Sequence, residues 1–114
     1  MKALVVRQPW AAMIADGRKT IEVRSWRTSF RGDLLIIAAR CNQGTEHGMP
    51  RGVTVGLVRL MECRSMRPED EPAAFVTYQP GQWAWVLELI RTLPPVPIRG
   101  MRGVFEANFT PEII

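Results

Sequence analysis

Residues 34–39 read Leu-Leu-Ile-Ile-Ala-Ala, an apolar run with no polar position in it. A strand wet on one side alternates polar and apolar residues; one without alternation is covered on both faces. The run therefore predicts a central strand that a chain of 114 residues has to cover from each side. The rest of the chain supplies the cover in short pieces. Residues 3–6, Ala-Leu-Val-Val, read as a short buried strand ended by Gln8-Pro9. Pro9 is suited to open a helix over about residues 9–16, because its missing N–H is not needed in a first turn. Gly17 suits the C-terminal cap of that helix.

Residues 19–26 alternate as a strand, with Ile21 and Val23 on one face and Thr20, Glu22, Arg24 and Trp26 on the other. A basic loop over 27–33 follows. Residues 41–52 read as a long surface loop of the kind that often serves a site. Residues 53–61 are a second strongly apolar strand, where Gly56 marks a bulge or a close backbone approach. A short helix is expected over about 68–76, with acids in its first turn. Residues 82–90 form a strand that puts Trp83, Trp85, Leu87 and Leu89 on one face. Prolines keep 93–98 extended, and 104–107 is a last strand or short helix. Five or six strands with two short helices make an α+β domain, one unit over residues 1–114. A curled sheet or partial barrel removes the edges of so many short strands.

Apolar residues make up 46% of the chain and charged residues 23%, which excludes a disordered chain. No stretch reaches the ~18 consecutive apolar residues of a spanning helix, so no membrane role is expected. The N-terminal apolar run stops at Arg7, too short for a signal-peptide core. Cys41 and Cys63 then read as two free thiols in a reducing compartment, the cytoplasm. His47, the single histidine, lies in the glycine-rich loop, and no metal-ligand spacing accompanies it. No metal or other cofactor is implied. Residues 1–60 hold ten basic and four acidic side chains, against five and seven in 61–114. Thirteen of the fifteen basic residues are arginine, whose planar fork suits phosphates and bases. An anionic partner, nucleic acid foremost, follows from that half, although a high-GC genome that writes Arg for Lys would produce the same bias.

The densest polar constellation is Gly17-Arg18-Lys19-Thr20-Ile21-Glu22-Val23-Arg24. Lys19 has base or nucleophile chemistry if burial or a nearby Arg lowers its pKa. Glu22 can activate water, and Arg24 can hold an anion or an amide oxygen. In an ideal strand Lys19 has the parity of Ile21, so it joins Glu22 only if the strand starts after it or the hinge turns. A solvated face carrying an ordinary Glu22–Arg24 ion pair fits the same residues. Gln8, Pro9 and Trp10 stand where unpaired N–H groups of a helix start can receive an anion; Trp10 equally suits the core. Trp26 shares parity with Arg24 and is the better candidate for stacking a base. Trp83 and Trp85 suit the core. There is no phosphate-binding loop of the P-loop type and no Ser/His/Asp set.

Gly17-x-Lys19-x-x-Glu22-x-Arg24 matches the G-x-K-x-x-E-x-R signature of the ASCH domain family. The flanks Val6-Arg7-Gln8-Pro9-Trp10-Ala11, Arg31-Gly32-Asp33-Leu34-Leu35-Ile36, Gly56-Leu57-Val58, Trp83-Ala84-Trp85-Val86-Leu87 and Pro97-Ile98-Arg99-Gly100 resemble the family's in order. The resemblance implies a PUA-like fold, a curled barrel with helices beside a cleft that the motif lines. It implies RNA or a modified nucleoside as partner. Some members resemble amidohydrolases that cleave N4-acetylcytidine, and others are reported as ribonucleases; a ribonuclease role for this chain would be metal-independent. In the amidohydrolase branch the motif lysine, here Lys19, works with a threonine three residues on and a distant glutamate. The threonine position is Glu22 here, a departure, and Thr20 has the wrong spacing. Glu69 and Glu71 are candidates for the distant carboxylate. The resulting expectation assigns catalysis to Lys19 and Glu22, and substrate binding to Gln8, Pro9, Trp10, Arg24 and Trp26. The alternative is an RNA-binding module or ribonuclease without amidohydrolase activity.

Overall fold

A computed structural model describes residues 1–40 and 48–111; Cys41 and His47 lie outside the described residues. Strand β1 (Lys2–Val6) leads into helix α1 (Trp10–Ala15) and then strands β2 (Ile21–Arg24), β3 (Gly32–Ala38) and β4 (Thr54–Ser65). A single 3-10 turn, Pro68–Asp70, runs into helix α2 (Glu71–Ala74), and strands β5 (Trp83–Thr92) and β6 (Phe105–Glu106) follow. The six strands make one curled half-barrel sheet in the order β2-β5-β4-β3-β1-β6. All neighbours are antiparallel except β1 and β3, which run parallel with Val6 opposite Ala38. The carboxyl ends of β1 and β3 therefore emerge side by side.

The central strand is covered on both faces. Leu34, Ile36 and Ala38 pack into the main core with Leu4, Val6, Ile14, Trp85 and Leu87, on the side of α1. Leu35 and Ile37 pack with Ala3, Leu57, Leu93 and Phe105. A third cluster, Ile21, Met66, Ala74 and Ala84, seats α2 against β2 and β5. Gly56 marks both features expected of it. The β3–β4 register shifts between Ile36 and Ile37 beside it. A side-chain carbon at Gly56 would stand 3.3 Å from the Ala15 backbone, so the missing carbon lets α1 lie close on the sheet.

Three elements differ from the expectation, the first being β2, which spans only Ile21–Arg24 of the strand expected over 19–26. β4 continues four residues beyond Met61, because Glu62 to Ser65 pair with Trp83 to Val86 across a bulge. The helix expected over 68–76 is instead a 3-10 turn and one turn of α-helix, stopped where Phe75 turns left-handed at φ 58°. The turn is clamped to β4 by Asp70, whose carboxylate accepts bonds from Arg64 Nη1 at 2.7 Å and Nη2 at 2.9 Å. It also accepts the Arg67 backbone N–H at 2.8 Å.

Candidate functional site

The motif begins at the end of α1. Gly17 takes φ +87°, a left-handed conformation that glycine adopts without strain. That turn returns the chain to the helix, so the Lys19 N–H bonds Met13 O at 3.0 Å. Strand β2 starts only at Ile21, which frees Lys19 from strand parity and lets its side chain point inward. Thr20 then fastens the hinge on both sides: its N–H donates to Ala73 O at 3.2 Å, and its carbonyl accepts the Leu87 N–H at 2.9 Å.

Lys19 is 2% exposed and is among the largest fully buried side chains among the described residues. Its ammonium donates to Ala74 O at the end of α2, where helix carbonyls lack intrahelical partners. Nζ also stands 3.6 Å from Glu22 Oε1. Glu22 Oε2 accepts Arg24 Nε at 2.8 Å, and Arg24 Nη2 donates to Val5 O at 2.7 Å. The three motif charges thus form a chain, cation–carboxylate–cation, that ties β2 to α2 at one end and to β1 at the other. Burial pushes the Lys19 ammonium below its ordinary pKa; Glu22 opposes the shift and Arg24 adds to it. The solvated-face alternative does not hold, because Glu22 is only 7% exposed.

These residues line a cleft of about 830 Å³, within the ~300–1,000 Å³ of small-ligand sites. Its walls are the ends of β1 and β3, strand β2, Trp10, Trp26 and the strap 98–103 that precedes β6. Among the described residues five cationic side chains line it, Arg7, Lys19, Arg24, Arg40 and Arg102, against the single carboxylate of Glu22. Trp26 stands edge-on to buried Trp85, with ring centres 4.8 Å apart at 88°. Trp83 and Trp85 turn to the core, as their parity implies.

Of the candidate residues, Lys19, Glu22, Arg24, Trp10 and Trp26 meet in this cleft. Gln8 and Pro9 are not among its lining residues. The Gln8 side chain is buried and occupied: Oε1 accepts the Ala12 N–H at 2.9 Å and Nε2 donates to Pro50 O at 2.9 Å. With Ala11 and Met13 donating to Arg7 O and Pro9 O, the helix start does not hold out those three N–H groups to an anion. Neither Glu69 nor Glu71 lines the cleft, and Glu71 Oε2 accepts the Tyr78 N–H at 2.6 Å. Thr20 is exposed. Sequence reasoning missed Arg7, Arg40 and Arg102. The first two follow directly on apolar strand runs, a usable signal once those strands are known to be parallel neighbours. Arg102 carried no signal. Among the described residues no group of three or more His, Cys, Asp or Glu gathers as for a metal. Cys63 is a half-buried free thiol, and no described helix is long and apolar enough to cross a membrane.

A curled half-barrel with two short helices and a motif-lined cleft is the PUA-like architecture. Crystal structures bear this out at the level of fold: the ASCH protein of Zymomonas mobilis superposes with a TM-score of 0.66 at 16% identity, over 84% of this chain and 72% of that one. A point variant of that protein gives 0.65, also at 16% identity, over 84% and 74%. The ASCH domain family model matches residues 4–97, and the chain belongs to that family. Human activating signal cointegrator 1 is 32% identical over 88 residues, and the mouse protein 31%. Each match takes in 60% of this chain but only 15% of the much longer relative.

Proposed function

We propose that the cleft binds a single base of an RNA or of a modified nucleoside, in a cytoplasmic setting. The observation that carries the reading is Glu22, among the described residues the one carboxylate lining a cleft with five cations, held between Lys19 and Arg24. A base edge presents both donors and acceptors. Phosphate recognition alone needs cations only, whereas a carboxylate fixed between two donors offers both kinds of partner to a base. Lys19 Nζ has three hydrogens, one directed to Ala74 O and one toward Glu22, which leaves a third. Trp26, braced edge-on by Trp85, supplies an aromatic surface at the same cleft. The ASCH family's association with RNA and the basic lining agree with this reading.

The test is single-stranded RNA binding across a salt series. Affinity falling steeply with salt is expected, because arginines displace counterions from phosphates. Affinity flat in salt refutes an RNA partner. Glu22→Gln is expected to level the preference among the four bases.

A second reading is favoured by one observation, the buried Lys19 whose pKa is lowered beside Glu22. It makes the cleft an amidohydrolase for N4-acylated cytidine. Water adds to the acyl carbon, its proton passing to Glu22; the C–N4 bond breaks as the Lys19 ammonium protonates the departing N4, and the proton on Glu22 returns to Lys19. Arg24 polarises the amide oxygen. Chromatography of N4-acetylcytidine with wild type and Lys19→Ala decides it: cytidine from the wild type alone supports the reading, and none from either removes it, leaving RNA binding or cleavage.

A further inference from the structure

We propose that the cleft takes its base with a phosphate attached, and that Arg40 and Arg102 hold that phosphate at the rim. The inference rests on base binding and narrows its substrate class to nucleotides, free or within a chain. Four of the cleft's cations divide by their partners. Lys19 and Arg24 are engaged by Glu22 and by backbone carbonyls. Arg40 and Arg102 are exposed, and neither has a carboxylate partner among the described residues. The floor of the cleft thus carries a mixed donor–acceptor set, and the two described rim arginines offer donors.

The rim pair is placed by the fold. Gly52 adopts φ +68°, and a side-chain carbon there would stand 3.0 Å from Arg40 Cγ and 3.1 Å from its Nε. Arg40 therefore lies across a bare glycine, at a spot that any larger residue would crowd. Gly52 N–H donates to Ala38 O at 2.8 Å, two residues before Arg40, and Gly52 O accepts the Ile98 N–H at 3.1 Å, at the start of the strap that carries Arg102. Two backbone bonds through Gly52 join the strand end bearing Arg40 to the strap bearing Arg102. A long side chain already seated loses less freedom on binding. Two guanidinium forks above a base site match the oxygens of a phosphate, and a bare nucleoside leaves both unused.

The test titrates the full chain with cytidine, cytidine 5′-monophosphate and a short single-stranded oligocytidylate over a range of salt. Either phosphorylated ligand binding at least about tenfold tighter than cytidine is expected, since the rim arginines add charged hydrogen bonds to the phosphate. The monophosphate ahead of the oligomer marks a free nucleotide as ligand, and the reverse marks an RNA chain. Arg40→Gln is expected to drive the affinity ratio toward one and lower the oligomer's salt slope by about 0.7. Arg40→Lys restores the slope without the fork. Arg59→Gln, whose arginine pairs with Asp33 away from the cleft, keeps the wild-type ratio. Should Arg40→Gln fail to fold, Arg102→Gln on the exposed strap gives the same readout. Equal affinity for cytidine and both phosphorylated ligands, or a ratio unmoved by both rim variants, overturns the inference while base binding stands. Binding of none of the three overturns base binding itself.

Discussion

Asp70→Asn tests how α2 is held where Lys19 needs it. Asp70 is 6% exposed, and Arg64 beside it holds its carboxyl well below the usual range, from 3.8 to about 2. Burial opposes that shift, while the Arg67 N–H adds to it. A drop of this size corresponds to about 2 kcal/mol through linkage. The Arg64 side chain is 23% exposed, so solvent screening brings the expected contribution to about 1–2 kcal/mol. Because the folded-state pKa lies below the unfolded value, the stabilisation is full above about pH 4 and disappears as pH falls through about 2. Urea denaturation followed by tryptophan fluorescence, on wild type and Asp70→Asn, should show a gap of about 1–2 kcal/mol at pH 7 that closes toward pH 2. The other carboxyl groups titrate in both proteins and cancel in the difference. A gap of equal size at pH 7 and pH 2, or no gap at pH 7, refutes the argument.

Ile36→Ala and Ile37→Ala, on opposite faces of β3 and at most 1% exposed, should each cost about 2–5 kcal/mol in urea unfolding; a strand wet on one side would lose stability at only one of them. Gly17→Ala should cost about 1–2 kcal/mol, because φ +87° crowds any side chain, and the same assay reads it. Lys19 charges less readily in the folded protein than in the unfolded chain. The stability of wild type relative to Lys19→Met should therefore rise as pH climbs from the folded-state pKa toward 10.5, the ordinary value; a constant difference up to pH 10.5 contradicts the buried, shifted ammonium. Gly100→Ala puts a carbon 2.5 Å from Val5 Cγ2. It should push the strap off β1 for about 1 kcal/mol and weaken ligand binding in a salt titration.

Local pattern was enough for most of the frame. The apolar run at 34–39 requires two covered faces, and the tryptophan parity of β5 points to the core. Pro9 and Gly17 bound a helix of one and a half turns. Each of these follows from backbone sterics and from which side of an element avoids water, and neither depends on distant residues. The GxKxxExR spacing marked a segment that reaches the cleft, and its glycine stands where the chain turns left-handed. The assembly of the site depended on contacts that no local pattern encodes. Strand parity set Lys19 apart from Glu22, and only the late start of β2 brings them together. Its ammonium is held by Ala74 O, 55 residues away, and a carbonyl has no side-chain identity to read. Gln8 looked like a ligand donor and is instead the bracket between α1 and Pro50. Arg40 and Arg102 share a cleft because β1 and β3 run parallel and Gly52 leaves room between strand and strap. A side chain's type is written in the sequence; its partner is chosen by packing, once distant segments have been brought within the few ångströms over which hydrogen bonds and ion pairs act.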